Sequence, residues 1–201
     1  NAKYNIARAY AETMNFDEAI NNYMFIFEKH KDHSLAPSAL IKVGQIYQQK
    51  KDNKKAVEIY EKTGQSYPSM EISAEAYFYA GKIFTSENDD LKAEKYFLRS
   101  TAFKNNVFAD KSRIELAAIY IKRQNKAKAL EILESVASSR ADNTGAEAQY
   151  RIGEIHFAEK NYKDALSAFL RIKYVFGKEG DLTAQSLLKA GECYEALGDN
   201  A

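Results

Sequence analysis

Apolar residues recur along the chain at three- and four-residue intervals with polar residues between them, and no stretch shows the strict alternation of a half-buried strand. With only two prolines and nine glycines to interrupt it, the pattern predicts a protein that is almost all helix. A small residue is repeatedly followed three places later by an aromatic: Ala7 and Tyr10, Gly44 and Tyr47, Gly81 and Phe84, Ala117 and Tyr120, Gly191 and Tyr194. Gly153 with His156 is a further copy if histidine stands in for the ring. The steps between the small residues are 37, 37, 36, 36 and 38, so the chain holds about five and a half copies of one unit.

Positions not used to find the frame agree with it. Twelve residues after each small residue stand Ala19, Ala56, Ala93, Ala129 and Ala165, and four further on Tyr23, Tyr60, Phe97, Leu133 and Phe169. Eight residues after it come Asn15, Asp52, Asp89, Asn125, Asn161 and Asp199, side chains suited to accept from the free N–H groups that open a helix. Each unit therefore reads as two helices joined by a short turn. Small residues on both helices let them approach closely, and the aromatic and the later large residue are expected to fill the space between one helix pair and the next. The units fall at 1–33, 34–69, 70–105, 106–142 and 143–179, with a partial one at 180–201. Asn1 lies close to the first small residue and no polar capping element is visible, so we expect a piece of a longer array.

These residues resemble the tetratricopeptide repeat (TPR), most fully at Val43-Gly44, Tyr47, Ala56, Tyr60 and the closing Pro68. The leading tryptophan of that pattern is replaced by Lys3, Leu40, Tyr77, Arg113, Gln149 and Leu187. The resemblance implies an all-α fold, a right-handed α-solenoid of stacked antiparallel helix hairpins, acting as a non-catalytic scaffold for protein partners. The longer period and the segment Ser34-Leu35-Ala36-Pro37-Ser38-Ala39-Leu40 are similar to repeats of bacterial envelope proteins, such as the periplasmic coordinator of the Tol-Pal system and the helical lipoprotein of the outer-membrane β-barrel assembly machine. That implies a periplasmic or outer-membrane-associated location; the alternative is cytoplasmic.

The 29 basic and 28 acidic side chains give a charge of +1, without the surplus that nucleic-acid binding requires. No apolar run approaches the roughly 18 residues that span a bilayer. Cys193, the single cysteine, excludes an internal disulfide and reads as a buried inert thiol. His30 and His33 share a polar turn with too few converging groups for a metal, and His156 reads as packed with one nitrogen satisfied. Glu131 and Glu134, one turn apart, read as a solvated face, and Gly177-Lys178-Glu179-Gly180 as a turn, since it lacks the strand and Gly-Lys-Ser/Thr ending of a phosphate loop. No nucleophile, base and oxyanion donor come together, so we expect neither catalysis nor a cofactor.

In repeats of this type the first helices line a concave groove. The resemblance places in it the residues three before the small position, Tyr4, Ile41, Phe78, Ile114, Tyr150 and Leu188, all apolar, with flanking rows that add Lys82, Ile121, Lys122, Glu154 and Phe157. We expect Phe78, Lys82, Ile114, Ile121, Lys122, Tyr150, Glu154, Phe157 and Leu188 to bind a peptide or partner protein. Any single apolar member of the row could instead complete the core. A clamp for a terminal carboxylate is not expected, since the rows lack its lysine and asparagine. The alternative role is a regulatory or spacer arm of a larger multidomain enzyme, and self-association through open array ends is a further possibility.

Overall fold

The computed structural model describes residues 2–176 and 180–198. Among them it holds eleven helices and no strand: α1 (Ala2–Glu12), α2 (Phe16–Lys29), α3 (Ala36–Gln49), α4 (Asn53–Ser66), α5 (Ile72–Ser86), α6 (Asp90–Ser100), α7 (Val107–Lys122), α8 (Lys126–Ser139), α9 (Asn143–Ala158), α10 (Tyr162–Val175) and α11 (Asp181–Leu197). The chain forms two compact units, Asn1–Ala109 and Asp110–Ala201. In the first, each helix from α1 to α6 packs against the next in sequence. In the second, Ile114 and Ala117 of α7 share a core with Ala129 and Leu133 of α8, and α8 to α11 again pack in order. Each unit is a run of α-solenoid, held mainly by contacts between successive helices, with α3 also touching α5 and α9 touching α11.

The turn inside every hairpin is built the same way. Met14, Lys51, Asn88, Gln124 and Lys160, each seven residues after a small residue, have positive φ, and so does Gly198. In each of those five turns two backbone N–H groups bond back to the end of the first helix, as Asp52 N to Tyr47 O at 2.9 Å and Lys51 N to Gln48 O at 2.9 Å. This is the Schellman closure, which favours glycine at the left-handed residue. Five side chains instead hold a conformation that costs roughly 1 kcal/mol. Replacing exposed Gln124, whose φ is 61°, by glycine is expected to raise the stability of the α7–α8 hairpin by about 1 kcal/mol, read as slower amide exchange there.

The cap residues are only partly as expected. Asp52, Asp89 and Asn125 accept from the N–H of Lys55, Lys92 and Lys128 at 3.1, 3.0 and 3.2 Å. Asn15 and Asn161 stand at the N-cap position without a side-chain cap bond. Asn15 turns its amide to the Thr13 hydroxyl instead, at 3.0 Å. Asp199 lies outside the described residues. Caps outside the hairpin frame include Asn106, which accepts from Phe108 and Ala109 N–H, and Asp142, which accepts from Thr144 and Gly145 N–H; hydrogen bonding to the Arg140 guanidinium, with help from those amides, lowers the Asp142 carboxyl pKa to about 2.

The small residues do set the helix approach, but by a different contact from the one expected. A Cβ built on Gly44 would lie 2.4 Å from the Tyr60 ring, on Gly81 2.5 Å from the Phe97 ring, and on Gly153 2.5 Å from the Phe169 ring. The large residue of the second helix thus sits over the glycine of its own hairpin, and Tyr60, Phe97 and Phe169 are fully buried there. From that seat the ring also reaches onward: Tyr60 stacks on Tyr79 of the following hairpin, centroids 5.6 Å apart. Phe84, the third-step aromatic of α5, lies against Tyr96 of its own hairpin at 5.3 Å with the rings nearly parallel.

Candidate functional site

The first helices of the second unit present the larger opening. Between α9 and α11 lies a cleft of about 810 Å³, floored by Ile172 and Phe176 and flanked by Glu147, Tyr150, Arg151, Glu154, Asp181 and Gln185. One guanidinium faces three carboxylates. Arg151 bridges Glu147 at 3.8 Å and Glu154 at 3.5 Å, the spacing of neighbouring turns on one helix face, so the rim keeps an acidic surplus.

The expected groove residues divide by burial. Leu188 is 69% exposed on α11. Tyr150 and Phe157 are half-buried and packed on the core around Phe169 and Cys193. The Tyr150 ring lies 5.4 Å from that of Phe169, and burial, with Glu154 adding to it, raises its hydroxyl pKa. Phe157 meets Tyr162 edge-on at 5.4 Å, and the Lys189 ammonium sits 5.1 Å over its ring while paired with Glu192 at 2.6 Å. Ile121 is half-buried against the core, and Lys122 is exposed at the end of α7. Ile114 is a correction: at 5% exposure it packs in the core with Ala117 and Leu133 and cannot line a free surface.

In the first unit, Phe78 joins an aromatic cluster, its ring 5.6, 6.2 and 5.7 Å from Tyr79, Phe97 and Phe108, and Lys82 is half-buried one turn on. One opening in this unit lies elsewhere, between α1 and α3, where Arg8, Glu12, Lys42, Gln45 and Gln49 edge a cleft of about 330 Å³ that Ala11, Tyr23 and Ile46 also line. Another of similar volume, beside the turn after α2, includes His30 and His33.

No helix among the described residues is long and apolar enough to cross a membrane. Nor do those residues contain a group of three or more His, Cys, Asp or Glu that could hold a metal ion. His33 Nδ1 accepts from Leu35 N at 3.1 Å, and the His30 ring lies edge-on to Phe25. Cys193 is buried, and desolvation raises its thiol pKa. His156 Nδ1 is buried without a hydrogen-bond partner. Of the Gly177–Gly180 turn, only Gly180 lies within the described residues.

Two stretches, residues 114–181 and 37–62, match the tetratricopeptide repeat family. No curated protein matches the sequence. Among solved structures, the chain is similar to PilW, a widely conserved type IV pilus biogenesis factor, at 18% identity and a TM-score of 0.66, over 100% of this chain and 86% of that one. It is similar to PilF of Pseudomonas aeruginosa at 17% identity and a TM-score of 0.71, over 98% and 84%. YrrB, described as a TPR protein with an unusual peptide-binding site, aligns at 18% identity with a TM-score of 0.59, over 89% and 84%. At such identities the likeness is one of fold.

Proposed function

Since the chain belongs to the tetratricopeptide-repeat family, we propose that it is a non-catalytic protein-interaction scaffold whose working surface in the second unit is the cleft between α9 and α11. The observation that carries this reading is the cleft itself: half-buried Tyr150, Phe176 and Leu182 supply apolar contact beside an acidic rim of Glu147, Glu154 and Asp181. Such a surface favours a partner segment that is apolar with basic flanks, the rim charges governing encounter rate and orientation more than final affinity. Phe78 and Lys82 belong to the corresponding face of the first unit. The likeness to two pilus proteins supports a periplasmic or outer-membrane-associated place of work.

Selection from a random peptide library on the intact chain tests this. Tyr150 and Phe157 are too well packed for charge substitution, so the informative variant is Glu147→Lys with Glu154→Lys on the rim, which leaves the core untouched. Selected peptides are expected to be enriched in Lys and Arg, and to lose on the order of tenfold in affinity for the variant at unchanged helicity. Peptides without basic bias, or indifferent to the double reversal, would refute the assignment.

A further inference from the structure

The two units carry the same charged residues on their second helices, partnered by tyrosines in the first only. In the first unit, Glu61 of α4 accepts the Tyr96 hydroxyl at 2.7 Å and pairs with Arg99 at 3.6 Å. Arg99 also donates to the Tyr77 hydroxyl at 2.8 Å and lies 4.0 Å over that ring, while Tyr96 stacks on Phe84. Both tyrosines are buried.

Counting from the small residues, the second unit has Glu134 where the first has Glu61, and Arg171 where it has Arg99. The charged pair is retained and the rings are gone: Gln149 replaces Tyr77, Ala168 replaces Tyr96, and His156 replaces Phe84. What remains is a slot of about 430 Å³ lined by Glu131, Glu134, Ser135, Gln149, Ile152 and Arg171. Two α9 atoms at the altered positions, Gln149 Oε1 and His156 Nδ1, are buried without hydrogen-bond partners, and Gln149 is only 4% exposed. A buried acceptor without a donor is costly, and its usual remedy is a group from outside the fold. Glu131 is occupied by Lys128 at 2.9 Å, which leaves Glu134 and Gln149 as the acceptors of the slot.

We propose that this slot accepts a tyrosine side chain of a partner protein, its hydroxyl meeting Glu134 as that of Tyr96 meets Glu61 in the first unit. Ala137 in place of Gly64 makes the slot shallower than the Tyr77 seat, because a Cβ on Gly64 would come within 2.2 Å of the Tyr77 ring. In the slot the phenol hydroxyl would donate to Glu134, with the Gln149 carbonyl among the lining groups, and the ring would lie beside Arg171 as Tyr77 and Tyr96 lie beside Arg99. The site is independent of the α9–α11 cleft and does not rest on it.

The test titrates the intact chain with p-cresol, the tyrosine side chain alone, and with toluene, following the side-chain NMR signals of Gln149 and Arg171. Saturable shifts are expected, with p-cresol binding on the order of tenfold tighter than toluene because only it satisfies the acceptors. Gln149→Tyr, which restores in the slot the ring that Tyr77 supplies in the first unit, should abolish the response read at Arg171. Should that variant fold poorly, the double variant Glu134→Leu, Gln149→Leu should still bind but without preference between the two. Absence of saturable shifts in the wild type, or equal preference for p-cresol in wild type and double variant, would overturn the proposal.

Discussion

Phe169→Ala should cost about 3 to 5 kcal/mol, the usual penalty for emptying a fully buried aromatic site. Phe169 is 0% exposed, fills the notch above Gly153, and supports the Tyr150 ring at 5.4 Å. Collapse into the cavity is blocked from below by the α9 backbone at Gly153, so little of the lost contact is regained. Because a repeat array need not unfold in one step, the loss should appear first as local opening of α9 and α10. Amide exchange in those helices, compared with α3 and α4, measures it. The α9–α11 cleft should lose its shape as well, since Tyr150 forms part of its wall.

Gly81→Ala should lower stability by about 1 to 2 kcal/mol even though alanine is the better helix former by about 1 kcal/mol. The new methyl would meet Phe97 at 2.5 Å, and that ring is also hemmed by Phe78, with centroids 6.2 Å apart. Neither group has room to yield. The same change at Gly191 meets no atom within 4 Å, lies inside α11, and should therefore stabilise that helix by up to about 1 kcal/mol. One motif position gives opposite signs because only one of the two glycines has a ring above it. Denaturant midpoints of the two variants, measured side by side, decide the matter.

The helices and their hairpin frame were legible because repetition averages out local noise: one glycine says little, but six small residues at near-constant intervals define a register. The contact that uses those residues was harder to read. Spacing places Gly44 and Tyr60 in one hairpin without showing that the ring lies on the glycine, since the χ angles and helix rotation that bring them together leave no trace in the interval. The left-handed turn residues were invisible for a related reason, as Met14, Lys51 and Gln124 are not types that announce positive φ. Ile114 shows the limit of face assignment: its row is apolar throughout, and apolar character alone does not separate a lining residue from a core one.

The slot near Gln149 illustrates the opposite case. Tyr77, Arg113 and Gln149 occupy one repeat position and look like unrelated departures from a tryptophan. Only the packing around Tyr77 and Tyr96 shows what that position ordinarily fills, and hence what its loss leaves open.

The pairing of a small residue with the large one above it is best tested by a double-mutant cycle at Gly81 and Phe97. The chain already contains the swapped pair, Ala117 with Leu133 sharing a core in the fourth hairpin. Gly81→Ala and Phe97→Leu should each destabilise alone, one by overpacking and one by leaving a gap. Together they should recover about 1 to 2 kcal/mol relative to the sum of the singles. Additivity within about 0.5 kcal/mol would mean that glycine and ring do not meet, and would contradict the account.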